Sequence, residues 1–287
     1  MEKLIFKKLH DSMQDYDLIL LDLWGVIIED GQLYEGVIDS VNEILRKKDI
    51  IFLTNAPRPN FKVAENLGKW GIKGVTEEMA ITSGDLTRDA LFEKRISNGG
   101  KLPLIYHLGK EQNEDILSKF EHKLTDDLTE AEILLLSLYR DDHEDINEFD
   151  DFLKEAASMP KLLRICANPD TIIPKRGGLR YCAGYFAEKI EKFGGEVLYT
   201  GKPKRPIYDF VFKKKPQIKK DRILMVGDTF ETDILGARDS GIHSALVLSG
   251  NSKPFHDMHQ SMDDKLEALA KQAKKAGVMP SFVTSLT

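Results

Sequence analysis

The sequence predicts an α/β protein in which a doubly wound parallel sheet carries an inserted α/β domain. Short apolar runs rich in Ile, Leu and Val recur along the chain, and such runs are typical of buried parallel strands. Helical patterns such as GVIDSVNEILRKK lie between most of the runs, and this alternation is typical of a parallel sheet. Each run ends on a small or polar residue, and these residues are Asp22, Asn55, Ser83, Lys202, Asp228 and Ser249.

A long interval interrupts this alternation. Thr54 and Lys202 lie 148 positions apart, which is far more than one crossover between parallel strands needs. The interval contains its own strand patterns, LPLIYHLG, AEILLLSLY and LLRICANPD, and helical patterns, NEDILSKF, DINEFDDFLKEAASM and LRYCAGYFAEKIEKFG. We therefore predict a Rossmann-like core at residues 1–86 and 196–287, with an α/β domain inserted at 87–195.

Composition excludes several classes of protein. The 287 residues include 41 Lys and Arg against 47 Asp and Glu, so the net charge of −6 argues against a nucleic-acid-coating surface. No apolar run approaches the roughly 18 residues that cross a bilayer, and the opening MEKLIFKKLHD lacks the apolar segment of a secretory signal. The two cysteines are too few for a disulfide scaffold. We expect a cytoplasmic protein with neither a membrane nor a nucleic acid as its partner.

Carboxylates at predicted strand ends are the strongest chemical signal. Asp22 follows the first run, and Asp228 with Asp233 follows a later one. Such a carboxylate can be a nucleophile, and several together form an oxygen-only site suited to Mg²⁺, although a single Asp in this place can simply cap the next helix. Thr54 adds a hydroxyl and Lys202 a positive charge, and a phosphoryl group needs both kinds of partner.

Four short motifs follow one another along the chain, each at the end of a predicted strand. They are Asp22-Leu23-Trp24-Gly25-Val26, Thr54-Asn55, Lys202 in the segment GKP, and Gly227-Asp228 followed by Asp233. Together they resemble the motifs of the haloacid dehalogenase superfamily of aspartate-nucleophile phosphatases. The insertion falls where the class II caps of that family sit, and Asn168-Pro169-Asp170 before a Gly-rich turn and a helix is similar to the type A cap.

The resemblance implies a hydrolase of small phosphomonoesters, such as sugar phosphates, that forms an aspartyl phosphate on Asp22. It further implies that Thr54 and Asn55 bind the phosphorylated substrate and that Lys202 supplies compensating positive charge. The implied ligands of Mg²⁺ are the Asp22 carboxylate, the backbone carbonyl of Trp24, Asp228 and Asp233.

Trp24 departs from the family pattern, which has a second Asp two residues after the nucleophile as general acid and base. An indole cannot do this, and losing a positioned general acid costs on the order of 10²- to 10⁴-fold in rate. Three alternatives follow: slow turnover, leaving groups that need no protonation, or replacement by Glu29 or Asp30. A rival hypothesis is a degenerate phosphatase that binds a phosphorylated ligand, and a second is a receiver-like phosphoacceptor, whose single domain leaves no place for the insertion.

The inserted domain contributes further candidates for substrate contact. Asp170, Lys175 and Arg176 belong to a loop region between the Asn-Pro-Asp turn and the following Gly pair. The alternative is that they are ordinary solvated loop charges. Exposed apolar surface on this domain would support a homodimer.

Overall fold

The computed structural model describes residues 3–175, 177–258 and 261–286. Its strands, in chain order, are β1 (Leu18–Leu21), β2 (Ile28–Glu29), β3 (Gln32–Leu33), β4 (Asp49–Thr54), β5 (Ala80–Thr82), β6 (Leu104–Leu108), β7 (Lys123–Leu124), β8 (Ile133–Leu136), β9 (Arg140–Asp141), β10 (Leu163–Cys166), β11 (Ile172–Lys175), β12 (Gly178–Tyr181), β13 (Leu198–Tyr199), β14 (Ile223–Gly227), β15 (His243–Val247) and β16 (Phe282–Thr284).

The α-helices follow the periodic segments of the sequence. They are α1 (Leu9–Ser12), α2 (Val37–Leu45), α3 (Asn60–Lys69), α4 (Ser83–Ser97), α5 (Asp150–Ser158), α6 (Ala183–Lys192), α7 (Arg205–Lys214), α8 (Leu235–Ser240), α9 (Lys253–Asp257) and α10 (Met262–Ala276). In each of α2, α5 and α6, apolar residues spaced three or four apart are buried, as expected for a helix that covers a sheet.

The chain forms two compact units. The first comprises residues 1–54, 63–81 and 208–287, and the second comprises 55–62 and 82–207. Because the chain leaves the first unit and returns to it, the second unit is an insertion in the chain order.

A parallel sheet with the order β16-β15-β14-β1-β4-β5 organises the first unit. In β1 all four side chains are buried, as are all five in β14, because helices cover both faces of such a sheet. From β1 the chain adds β4 and β5 on one side of the sheet, and it later adds β14, β15 and β16 on the other side. This change of side is the doubly wound pattern. The predicted α/β fold class is therefore confirmed.

The second unit contains its own parallel sheet, in the order β13-β10-β8-β6-β7, and an antiparallel sheet in the order β11-β12-β9. The run that ends at Lys202 was expected in the doubly wound sheet, and this expectation is wrong. Its strand β13 pairs with β10, with Leu198 opposite Ile165 and Tyr199 opposite Cys166. Both sheets are parallel, so a short apolar run carries no signal that selects one of them.

Other elements differ from the sequence patterns. The helical pattern NEDILSKF forms only a 3-10 turn at Glu114–Leu117, and β16 completes an edge of the first sheet that no predicted run supplied. The segment before α6 is the strand β12, which pairs with β11 in a hairpin. Within the described residues, no helix is both long enough and apolar enough to cross a membrane.

His107 is a buried polar side chain in β6 of the second unit. Its Nε2 lies 2.8 Å from the hydroxyl of Ser137, just beyond the end of the neighbouring strand β8. Burial lowers the pKa of His107 to about 4, so the imidazole is neutral in the folded protein at neutral pH.

This pKa predicts a pH dependence of stability. Between the ordinary histidine pKa near 6.5 and a pKa of about 4, only the unfolded chain binds the proton, so the free energy of unfolding falls as pH falls through this window. The expected loss between pH 7 and pH 4 is about 3 kcal/mol from this group. The free energy of unfolding, measured by urea denaturation at several pH values, should depend less steeply on pH in His107→Gln than in wild type. His143→Gln, at an exposed position, is the control, and equal slopes in wild type and His107→Gln would contradict the prediction.

Candidate active site

Three buried carboxylates meet at the carboxyl edge of the sheet of the first unit. Ligand oxygens of Asp22, Asp228 and Asp233 all lie within 4.8 Å of one another. Asp22 follows β1 and Asp228 follows β14, and these strands pair in parallel with Leu21 opposite Val226. The register therefore brings the two carboxylates to the same edge, as the sequence predicted for strand ends.

Asp233 fixes the segment that carries Asp228. Its Oδ2 accepts hydrogen bonds from the backbone N–H groups of Asp228 and Thr229, both at 3.1 Å. Asp233 lies in a π-helical turn at Phe230–Ile234 and has 0% exposure. One oxygen of Asp233 thus orients the Asp228 backbone.

Asp228 is held by a loop that follows β15. The backbone N–H of Asn251 donates to Asp228 Oδ2 at 2.6 Å, and the Ser252 hydroxyl donates to the Asp228 carbonyl at 2.8 Å. The Thr229 hydroxyl donates to Oδ1 at 3.2 Å. Asn251 and Ser252 were missed in the sequence, where the only signal was a short run of small polar residues after a strand.

Gly25 and Gly250 let the loops after β1 and β15 approach the Asp228 carboxylate closely. Gly25 has φ +80° and Gly250 has φ +53°, and a β-carbon at either position would overlap Asp228 Oδ2. The Ser249 hydroxyl donates to the Gly25 carbonyl at 2.6 Å and so ties the loop after β1 to the loop after β15. Both glycines are required by close approach as well as by the left-handed backbone.

Trp24 occupies the position where the family pattern has a second Asp. Its Nε1 is buried and makes no hydrogen bond to any of the described residues. A buried donor without a partner costs about 1–3 kcal/mol. The indole N–H is far too weak an acid to protonate a leaving group and its nitrogen is not basic, so this side chain supplies no acid or base to the site.

Glu29 and Asp30 are the residues that one of the three alternatives names as replacements for the missing acid. Glu29 Oε2 accepts a hydrogen bond from the Tyr34 hydroxyl at 2.7 Å, and that hydroxyl accepts one from the Gly250 N–H at 3.1 Å. Burial, followed by the hydrogen bond to Glu29, raises the pKa of Tyr34. Asp30 is exposed, with φ +47°, at the turn between β2 and β3. Glu29 therefore serves to tie the β2–β3 hairpin, through Tyr34, to the loop that holds Asp228.

Thr54 lies at the same edge of the sheet as Asp22. It is the last residue of β4, which pairs in parallel with β1, and Phe52 lies opposite Leu21. Thr54 has 3% exposure.

Asn55, Asp170 and Lys202 form a cluster in the second unit. Asn55 Nδ2 donates to Asp170 Oδ1 at 2.8 Å and to the Lys202 carbonyl at 3.0 Å. The backbone N–H of Lys202 donates to Asn55 Oδ1 at 2.7 Å. The structure thus brings together three predicted site residues that belong to separate sequence motifs: Asn55 to Thr54-Asn55, Lys202 to GKP and Asp170 to the Asn-Pro-Asp turn.

Lys175 belongs to a separate ion cluster. Its ammonium group pairs with Asp141, which also accepts a hydrogen bond from Arg180 Nε at 2.8 Å. Arg180 and then Lys175 hold the pKa of Asp141 down at about 2. Arg176, the remaining predicted contact residue, lies outside the described residues. Lys175 therefore has an anionic partner in this structure, and its predicted role toward a substrate stays a prediction.

The three-carboxylate cluster fits a divalent cation. Buried like charges at this separation repel one another, and a cation among them removes that repulsion. An all-oxygen donor set is the one that Mg²⁺ and Ca²⁺ prefer.

Comparisons with known proteins find similarity to haloacid dehalogenase-like hydrolases and to phosphatases. Family models described as haloacid dehalogenase-like hydrolase and HAD-hydrolase-like match residues 19–123 and 199–282. Ribonucleotide monophosphatase NagD of Escherichia coli strain K12 is 28% identical over 241 residues, covering 82% of this chain and 88% of NagD. Sugar-phosphatase AraL of Bacillus subtilis strain 168 is 25% identical over 274 residues, covering 93% of this chain and 96% of AraL. A crystal structure of a haloacid dehalogenase-like hydrolase from Brucella suis 1330 is 28% identical with a TM-score of 0.75, covering 97% of this chain and 98% of that one.

Cation binding should be measurable as stabilisation. At a Mg²⁺ concentration 100-fold above Kd, binding to the folded state alone adds about 2.7 kcal/mol to the free energy of unfolding. We expect MgCl₂ to raise the Tm of wild type over an EDTA baseline and to raise that of Asp228→Asn much less. Asp263→Asn removes an exposed carboxylate and should respond as wild type does. A full Mg²⁺ response in Asp228→Asn would contradict the assignment of this site.

Proposed function

We propose that this chain, a phosphoric monoester hydrolase that belongs to class IIA of the haloacid dehalogenase superfamily, acts on small phosphomonoesters such as sugar phosphates. The observation that carries the proposal is the cluster of Asp22, Asp228 and Asp233 at the carboxyl ends of parallel strands. The names of the relatives NagD and AraL, a ribonucleotide monophosphatase and a sugar-phosphatase, support a small phosphorylated substrate. We further propose that the first unit forms the catalytic core and that residues 87–195, which lie within the second unit, form the substrate domain.

In this proposal Asp22 is the nucleophile. A carboxylate oxygen of Asp22 forms a bond to phosphorus while the bond from phosphorus to the ester oxygen breaks, and the alcohol takes its proton from solvent. Water then attacks phosphorus, the bond to Asp22 breaks, and inorganic phosphate leaves with one proton released. Asp22 is thereby regenerated as a carboxylate.

We propose Mg²⁺ as the cation, with Asp22 and Asp228 as ligands and Asp233 in support. The Trp24 carbonyl is proposed as a further ligand from the family resemblance. When bound, Mg²⁺ would neutralise charge on the phosphoryl oxygens and so let the anionic Asp22 approach them. On the motif order, Thr54 and Lys202 are proposed to bind phosphoryl oxygens, and Lys202 would add a second positive charge.

A second candidate function rests on Trp24. With an indole in place of the acid, the chain would bind a phosphorylated ligand without turning it over. Two observations favour this alternative: the Trp24 indole has no acidic group, and the Glu29 carboxyl group is already bonded to the Tyr34 hydroxyl. Turnover separates the two functions.

Hydrolysis of a phosphomonoester panel tests the proposal. Wild type should release phosphate with Mg²⁺ and not with EDTA, and Asp22→Asn should lose activity because an amide is a far weaker nucleophile. Asp263→Asn should retain wild-type kcat. A wild type that is inert on every ester while binding inorganic phosphate would favour the binding-protein alternative instead.

The leaving group should control the rate. Without a general acid, wild type should hydrolyse acyl and aryl phosphates faster than alkyl phosphates, whose alcohols leave poorly without a proton. Trp24→Asp should raise kcat/KM for alkyl phosphates by on the order of 10²-fold or more, and by much less for acyl phosphates. Trp24→Asn is the matched control, since the asparagine side chain has nearly the same shape as that of aspartic acid but no acidic proton. An equal gain in both variants would point to relief of steric crowding and contradict the missing-acid explanation.

A further inference from the structure

The side-chain amide of Asn55 pairs with the backbone of Lys202 much as one strand pairs with another. Asn55 Oδ1 accepts from the Lys202 N–H at 2.7 Å, and Asn55 Nδ2 donates to the Lys202 carbonyl at 3.0 Å. Asn55 and Lys202 have 2% and 1% exposure. One side chain therefore fixes both polar backbone groups of a buried lysine.

The hydrogen-bonding capacity of Asn55 is nearly exhausted by these contacts. An amide nitrogen has two hydrogens, and Nδ2 uses one for the Lys202 carbonyl and the other for Asp170 Oδ1 at 2.8 Å. No hydrogen of the side chain is left to donate to a phosphoryl oxygen. The family resemblance suggested Asn55 as a substrate-binding residue, whereas in this structure its side chain binds the Lys202 backbone and Asp170.

The backbone around Lys202 is held closely on both sides. A β-carbon at Gly201 would overlap Asn55 Oδ1 and lie 2.9 Å from Pro169 Cδ, so only glycine lets these segments approach. Just before it, the Thr200 hydroxyl donates to the Cys166 carbonyl at 3.0 Å and lies 2.9 Å from the hydroxyls of Ser83 and Thr87. The peptide that carries Lys202 is thus anchored to several segments of the second unit.

Asp170 extends the cluster to the Asn-Pro-Asp turn. Its N–H donates to Asn168 Oδ1 at 3.1 Å, and its carbonyl accepts from the Gly184 N–H at 3.2 Å, at the start of α6. Asn55 therefore connects the turn to Lys202 through one amide group.

We propose that Asn55 is a positioning residue that sets the place of Lys202 and couples it to the Asn168–Asp170 turn. This inference rests on the proposed function, in which Lys202 binds the phosphoryl group. Its chemical basis is that an ammonium group on a flexible four-carbon stem depends on a fixed backbone for its location. Displacement of a positioning contact by about 1 Å can cost on the order of 10²-fold in rate.

A double-mutant cycle tests the proposal. Asn55→Ala should lower kcat/KM by on the order of 10²-fold and raise the inhibition constant of inorganic phosphate. In the Lys202→Met background, Asn55→Ala should have little further effect on either quantity, because its influence passes through Lys202. Equal losses in both backgrounds would show that Asn55 acts on the substrate directly and would overturn the proposal.

Asn42→Ala is the matched structural control. Asn42 is also a buried amide that pairs with backbone groups, donating to the Gly71 carbonyl at 3.0 Å and accepting from the Lys73 N–H at 2.8 Å. It should lose stability with kcat/KM unchanged, and an equal loss of kcat/KM in Asn42→Ala and Asn55→Ala would overturn the proposal. If Asn55→Ala melts below the assay temperature, Asn55→Ser, which retains a donor and an acceptor, is used in the same cycle.

Failure of the proposed function gives a different result. An inert wild type, a fully active Asp22→Asn or a fully active Lys202→Met would contradict the assigned chemistry before Asn55 is considered. An active wild type with impaired Asp22→Asn and Lys202→Met, but with additive effects in the cycle, would overturn the positioning role alone.

Discussion

The close approach of three buried carboxylates is the constraint on which the first unit depends. Asp22, Asp228 and Asp233 lie within 4.8 Å of one another, and their mutual repulsion opposes folding. Their arrangement is stabilised by specific donors: the Asn251 N–H on Asp228, and the N–H groups of Asp228 and Thr229 on Asp233. The parallel register of β1 and β14 then fixes the separation between the two strand ends.

The surrounding loops are shaped by the same constraint. Gly25 and Gly250 approach Asp228 so closely that any side chain would displace its carboxylate. Glu29 binds Tyr34, and Tyr34 binds the Gly250 N–H, so a hairpin distant in sequence supports the loop that donates to Asp228. Trp24 lies in the loop after β1, and its partly buried indole stands where the family pattern has a proton donor. The three carboxylates are therefore ordered for a cation, and under the proposed function position 24 offers no ionisable side chain to protonate a leaving group.

Part of this arrangement could be predicted from the sequence, because some signals are local. Apolar runs that end in Asp22 and Asp228 predicted two strands of one sheet and the carboxylates at their ends, but not that the two strands are neighbours. The sheet membership of β13 could not be predicted, since two residues of strand are compatible with either parallel sheet. The contacts of Asn251 and Asn55 also escaped prediction. Each of these contacts joins positions that are distant in sequence and involves a backbone N–H. Almost every residue type has a backbone N–H, so the sequence does not indicate which one makes the contact.

Identification of the phosphorylated residue tests the central claim most directly. Wild type would be acid-quenched during turnover of an acyl phosphate and treated with borohydride, which reduces an aspartyl phosphate to homoserine, and the peptides would be analysed by mass spectrometry. We predict homoserine at position 22, dependent on substrate and Mg²⁺. Homoserine at position 228 or 233 of an active enzyme, with Asp22 unmodified, would contradict the assignment of Asp22 as the nucleophile.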